Sequence, residues 1–290
     1  MPPMAAAATA DELLEAEAVL WCHAYGYLKS MALQCAINLG IPNAIHRRGG
    51  AASLSELRDA LPAVAAGRWP CLSRLVRFLA STGVFAAAAA DDPTAGDGDG
   101  ARYRLTAVSR LLVDDGAGHR GLTAAMLLYS SPFHVKAAQC LAGWLQAGWD
   151  GGAGAGAAAA ETPFAMAHGE GFYGVAGRDA AFGASFNEAM ASDSRFVAEI
   201  VVRECGKVFD GVTSLVDAGG GDGTMARAIA MAFPHLSCSV LELPYMVDAA
   251  PADGTVEFVA GDMMQFIPPA DVVLLNVFFI TGAMKNVSES

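Results

Sequence analysis

Positive charge is scarce in this sequence. Lys and Arg number 18 against 30 Asp and Glu, the net charge is −12, and charged residues make up only 17% of the 290. A chain of that sign repels phosphate backbones, so nucleic-acid binding is not its main task. The six cysteines (positions 22, 35, 71, 140, 205 and 238) form no CxxC pair, and no His-rich spacing accompanies them. No metal site is expected, and the thiols are read as reduced and mostly buried. Long apolar runs are missing too. "VVLLNVFFI", at nine residues, is far short of the ~20 that a membrane helix needs. The N-terminal "MPPMAAAATADELLEAE" lacks both the basic and the apolar segment of a secretory signal. These absences leave a cytoplasmic protein with no membrane partner. What is present, 54% apolar residues over 290 positions, is enough for a sizeable core and for two domains.

Residues 11–39 read as one helix stopped by Gly40 and Pro42. Its apolar positions (Leu13, Leu14, Leu20, Trp21, Tyr25, Leu28 and onward) wrap round most of the surface, so a partner subunit or a large domain must cover it. Ser53-Leu54-Ser55-Glu56 is a capping box opening a short helix. "WPCLSRLVRFLASTG" is a second helix, and "VF" and "RYRLT" on either side of a Gly/Ala/Asp loop make a two-stranded wing. This winged-helix order raises DNA binding as a rival function, with Arg74 and Arg77 one turn apart on the second helix. Residues 1–115 nevertheless carry ten Lys and Arg against twelve Asp and Glu, whereas a DNA-reading domain is clearly basic. The winged helix is therefore read as structural.

Residues 121–149 look helical and aromatic (Phe133, Trp144, Trp149), and "DGGAGAGAAAAE" is a flexible linker or surface loop. "DAAFGASFNEAMASDSRFVAEIVVREC" is helical, with Ser192 the place for a break. From residue 212 strands alternate with helices: "VTSLVDA", "SCSVLEL", "TVEFVAG" and "ADVVLLNV" are four strands of a parallel sheet. The fold class is α/β, with a helical winged-helix domain over 1–118 and an incomplete Rossmann-like domain over 119–290.

The turn after the first of these strands decides the chemistry. Gly221-Asp222-Gly223-Thr224-Met225-Ala226 satisfies GxGxxA between a strand and a helix, a tolerated dinucleotide fingerprint. The charges oppose a dinucleotide. Asp217 ends the first strand, Asp222 sits in the turn, Glu242 ends the second strand 21 positions past Gly221, and Asp262 follows the third. Four carboxylates at the mouth of the crevice would repel a pyrophosphate. S-adenosyl-L-methionine, with an ammonium, a sulfonium and no phosphate, suits them. Glycines admit its methionyl end, a strand-end carboxylate accepts ribose hydroxyls, and Asp262 with Met263 flanks the adenine. Taken singly, Glu242 as a solvated acid and Asp262 as a helix cap are equally open.

These residues carry a resemblance. "SLVDAGGGDGTMARAIAMAFPHLSCSVLELPYMV", "VEFVAGDMMQFIPPADVVLL", "GYLKSMALQCAINLGIPNAIHRRGG", "TPFAMAHGEGFY" and "FNEAMASDSRF" resemble the plant small-molecule O-methyltransferases of the caffeic-acid and flavonoid type, from about residue 15 to 275. The resemblance implies a homodimer built through the N-terminal domain and methyl transfer to a phenolic hydroxyl of a small aromatic metabolite. It implies cofactor binding by Asp217, Gly219, Gly221, Glu242, Asp262 and Met263. It also places Phe186, Asn187, Met190 and Asp193 near the acceptor.

The resemblance stops at Leu275. Where the family has a lysine and then a histidine base, this chain has Asn276 and Ile280, so no catalytic residue is assigned. The six histidines lie upstream, and His168 is read as structural. The family sheet has seven strands and this chain supplies four. The expectation is a C-terminally truncated member with little or no activity, its tail altered by a frameshift, retained intron or alternative splicing. The alternatives are a non-catalytic dimerisation partner of a full-length relative and a dinucleotide-dependent reductase.

Overall fold

A computed structural model describes residues 8–88, 101–114, 121–147, 162–248, 250 and 254–276. The chain divides into two compact units, Met1–Asp115 and Gly116–Ser290.

Helix α1 (Ala10–Ala24) starts at a capping box in which Thr9 Oγ1 accepts the Glu12 N–H and Glu12 Oε2 accepts the Thr9 N–H at 2.7 Å. It does not run on into α2 (Tyr27–Asn38) as the sequence pattern predicts. At Tyr25–Gly26 the backbone bonds tighten to i→i−3: Gly26 N–H to His23 O, Leu28 N–H to Tyr25 O and Lys29 N–H to Gly26 O. Tyr25 leaves helical geometry at ψ 6. The break settles at Gly26 because glycine is a weak helix former and because a Cβ there would press to 3.3 Å on the His23 carbonyl. No residue of α1 is buried, and Leu20 is 69% exposed.

Gly40, at φ 71, separates α2 from α3 (Ile41–Arg47). Strand β1 (Ala51–Ser53) leads into α4 (Leu54–Ala60), which the expected Ser53–Glu56 capping box opens. Helix α5 (Trp69–Ser81) buries Leu72, Val76 and Leu79, one stripe at helical spacing, against Ile41, Ile45, Leu57 and Phe85. Strands β2 (Phe85–Ala88) and β3 (Arg102–Leu105) complete an antiparallel sheet of order β1-β3-β2, and α6 (Ala107–Arg110) closes the unit. Helix, turn, helix and wing strands thus follow in the expected order; the wing loop lies outside the described residues. Arg74 and Arg77 point to solvent.

In the second unit, α7 (Thr123–Tyr129), α8 (Pro132–Gln139), α9 (Leu141–Gln146), α10 (Pro163–His168) and α11 (Phe172–Arg178) precede the long α12 (Ala180–Glu204). Helix α12 passes through Ser192 without a break, because the Ser192 hydroxyl bonds back to the Ala189 carbonyl at 2.8 Å instead of competing for the ladder. Trp149 and the Gly/Ala-rich segment lie outside the described residues.

Four parallel strands follow: β4 (Ser214–Ala218), β5 (Ser237–Glu242), β6 (Glu257–Ala260) and β7 (Val272–Leu274), with α13 (Thr224–Ala232) and α14 (Pro244–Val247) between them. Their order is β6-β5-β4-β7. Alternate residues face opposite sides: Leu215, Cys238 and Val240 pack on Met225, Ala226 and Ile229 of α13, while Val216, Ala218 and Leu241 pack on Val259, Met263 and Ala270. Fully burying an aliphatic side chain of this kind contributes about 1.5–3 kcal/mol. Asp271 pins β7 to β4: its Oδ2 accepts from Thr213 N–H at 2.8 Å, Thr213 Oγ1–H at 2.7 Å and Ser214 N–H at 3.1 Å. The strand order reverses between β4 and β7, and the crevice for a ligand lies outside the carboxyl ends of strands at such a point.

The thiols depart from expectation. Only Cys238 is buried, whereas Cys22, Cys35 and Cys71 are exposed, Cys22 on α1, of which no residue is buried. No helix among the described residues is long and apolar enough to cross a membrane.

Candidate functional site

The site is built around residues 217–223, between the end of β4 and the start of α13. Gly219, Gly221 and Gly223 all have positive φ (74, 59 and 77), so the chain reverses through a conformation that side chains resist. The turn is fixed by bonds from Gly219 N–H to Leu241 O (2.8 Å) and from Gly223 N–H to Gly220 O (2.9 Å). Asp222 Oδ1 accepts the Thr224 N–H at 3.0 Å and so caps α13. Arg227, one turn into α13, donates to the Asp222 carbonyl and lies 5.7 Å over the Phe258 ring.

Asp217 is the unusual group. It shares the α13-facing side of β4 with Leu215 and is 1% exposed, yet neither carboxylate oxygen has a well-formed hydrogen bond. Burial pushes its pKa up to about 7, and the charges of Glu242 and Asp222 add to the rise, while the Ala226 backbone N–H offsets part of it. Its carboxyl group points under the turn: a Cβ on Gly220 would stand 2.6 Å from its Cγ and Oδ2. Gly220 is therefore required for close approach. The run of three glycines signals such a need, but does not say which of them meets it.

The other expected residues gather here. Glu242 Oε2 accepts the Gly221 N–H at 3.3 Å and its Oε1 accepts the Leu243 N–H at 3.1 Å, which ties the end of β5 to the turn. Asp262 Oδ1 accepts from Met264 N–H (2.9 Å) and Oδ2 from Gln265 Nε2 (3.1 Å), so part of its work is local capping. Met263 packs on the sheet, with Sδ 3.4 Å from where a Gly219 Cβ would be. The turn thus brings together a buried carboxyl without a well-formed hydrogen bond, three further acids and a side-chain-free cradle. A phosphate would meet like charge there; a cationic group of a cofactor such as S-adenosylmethionine fits.

A second cluster in the same unit is aromatic. Phe133, Phe164, Phe172 and Phe182 pack together with ring centroids 4.4–6.1 Å apart. Phe186 lies on Phe172 at 4.9 Å, and Met190 packs against the same core. Asn187 is exposed. Asp193 is 9% exposed and burial raises its pKa; burial together with the Asp193 charge pushes Tyr129 up to about 12. His168 Nε2 lies 3.0 Å from the Phe133 carbonyl, a structural bond. His134, which nothing in the sequence distinguishes from the other histidines, sits among Tyr129, Phe164, Phe172 and Phe182; burial lowers its pKa and its Nε2 has no partner. Ile280 lies outside the described residues. No group of three or more His, Cys, Asp or Glu among the described residues is placed to hold a metal ion.

Comparison with known proteins adds a family. A family model of the O-methyltransferase domain matches residues 149–281, and one of the O-methyltransferase dimerisation domain matches residues 21–115. A flavonoid O-methyltransferase-like protein of Oryza sativa subsp. japonica is 43% identical over 284 residues, 95% of this chain and 73% of its own length. The trans-resveratrol di-O-methyltransferase of Vitis vinifera is 41% identical over 267 residues, 91% of this chain and 69% of its own. Among solved structures, CalO1, a methyltransferase in calicheamicin biosynthesis in its SAH-bound form, shares the fold with a TM-score of 0.68 at 24% identity, covering 90% of this chain and 70% of that one.

Proposed function

The chain belongs to the O-methyltransferase family, and from that premise we propose that its glycine turn holds S-adenosyl-L-methionine for methyl transfer to a phenolic hydroxyl of a small aromatic metabolite. The observation that carries this is Asp217, buried beneath Gly220 without a well-formed hydrogen bond. An orphaned carboxyl at a ligand crevice asks for a cation. When bound, the cofactor supplies a methyl group activated by positive sulfur. Asp217 would stand under the methionyl end, Gly219 and Gly221 would let backbone approach it, and Glu242, with acceptor capacity left after its two N–H bonds, would take ribose hydroxyls. Asp262 and Met263 would flank the adenine. Phe186 and Met190 would hold the acceptor ring, the methionine as an adaptable surface, with Asn187 and Asp193 beside it. The protein's main contribution would be to align oxygen, methyl and sulfur.

A phenol is mostly protonated at neutral pH, and a general base is worth ~10²–10⁴ in rate. In these 290 residues the family's base position is Ile280, and His168 is engaged with Phe133. A polypeptide of this sequence is therefore expected to bind cofactor and to turn over slowly or not at all. Thermal melting and calorimetric titration test the reading. S-adenosylhomocysteine should raise Tm and bind, because a ligand of the folded state stabilises it, and NADPH should do neither. NADPH binding without S-adenosylhomocysteine binding would point to the reductase instead.

A second reading has its own support. The uncovered apolar α1, next to a matched dimerisation domain, favours a homodimer, and equally a mixed dimer in which this chain modulates a full-length relative.

A further inference from the structure

On the cofactor reading, the turn receives a cation, and among the described residues the charges acting on Asp217 are acidic. Glu242 and Cys238 face it from β5 and Asp222 from the turn. The base of α13, Arg227, is directed to the Asp222 carbonyl and the Phe258 ring. Strand β7 (Val272–Leu274) offers no titratable group. A carboxylate at 1% exposure, with no well-formed hydrogen bond and only partial relief from the Ala226 backbone N–H, is a costly state, and taking up a proton removes the charge.

We infer that Asp217 distinguishes a cationic ligand of the turn from a neutral one by giving up a proton when the cation binds. The empty turn keeps Asp217 as the neutral acid and the loaded turn holds the carboxylate. Only the carboxyl O–H bond breaks, and its proton passes to the buffer. The geometry makes the group responsive: the carboxyl lies against Gly220, so no side chain at that position separates it from the cradle. Burial, Glu242 and Asp222 place its titration at about 7, where one added positive charge reverses the balance. The demethylated product carries a neutral sulfide in place of the sulfonium and draws off less of the proton. The site therefore favours the methyl-bearing cofactor over its product, and this preference shrinks as pH falls toward the point where the empty site is fully protonated, because the cation must then displace the proton.

The inference rests on the cofactor reading, and the test keeps the two apart. The full chain is titrated calorimetrically with S-adenosylmethionine and with S-adenosylhomocysteine, each in two buffers of different ionisation enthalpy, at about pH 6, 7 and 9. Binding of S-adenosylmethionine should release close to one proton at about pH 6 and almost none at about pH 9, with affinity rising by up to about tenfold for each unit of pH increase up to neutrality and levelling off above it. S-adenosylhomocysteine should release less, and Asp217→Asn should bind without release. Binding of S-adenosylmethionine with no proton exchange, or release unchanged in Asp217→Asn, overturns the inference and leaves the cofactor reading standing. Binding of neither ligand overturns both. Should Asp217→Asn fail to fold, the wild-type comparison decides alone: equal release with the two ligands overturns the discrimination.

Discussion

A carboxyl that ionises near 3.8 when unfolded and at about 7 when folded holds an extra proton in the native state between those values. Stability in the absence of ligand therefore falls as pH rises through that window, and the full penalty applies above it. A shift of that size is on the order of 4 kcal/mol. Asp217→Asn removes the charge while keeping the shape. Scanning calorimetry should find the ligand-free variant more stable than the wild type at about pH 8, with the advantage disappearing toward about pH 4. A variant no more stable at the higher pH would show that the carboxylate is compensated. Gly220→Ala tests the cradle from the other side. Its Cβ would stand 2.6 Å from the Asp217 carboxyl, an overpacking that costs about 1–3 kcal/mol and that should weaken S-adenosylhomocysteine at least about tenfold. Full affinity in this variant would mean that the turn opens easily.

The elements show what local sequence can and cannot announce. The Ser53–Glu56 box and the Gly83 stop are written within four residues of the helix ends they fix, and both appear where the sequence places them. The acids at the strand ends, Asp217, Glu242 and Asp262, and Asp222 in the turn between β4 and α13, are legible too, because strand periodicity locates the strand ends. The bend at Tyr25–Gly26 is not, since it arises from a change of bonding pattern inside a continuous apolar stripe. Nor is the poorly paired state of Asp217, which depends on which amides the turn directs elsewhere. The Asp271 clamp joins residues 57 and 58 positions apart, beyond any pattern in the chain. It carries a prediction. Its donors, Thr213 first, hold the Asp271 pKa below the ordinary range. That contribution is present above the unfolded pKa and is lost as pH falls through the lowered one. Asp271→Ala should lower Tm at neutral pH and lose most of that effect in strong acid. An equal deficit at both pH values would assign the loss to packing instead.

At the scale of the whole molecule, the uncovered helix matters most. Leu13, Leu14, Leu20 and Trp21 are each more than half exposed, and a stripe of that kind marks a protein interface. Melting temperature should rise with protein concentration, and Leu20→Glu should abolish that dependence and halve the mass seen by light scattering. A wild-type chain that sediments as a monomer at high concentration would exclude both the homodimer and the mixed-dimer readings.

The β4–β7 pairing also sets a clock. Leu215 of β4 meets Val272 of β7, and the intervening stretch must be made before the two can join. At roughly 5–20 residues per second of synthesis, β4 waits about 3–11 s for that neighbour. During that interval the strand that carries Asp217 has a naked edge on the side where the sheet later reverses. The nascent chain is therefore at its most vulnerable to chaperone capture or mispairing at the very strand around which its ligand site is later assembled.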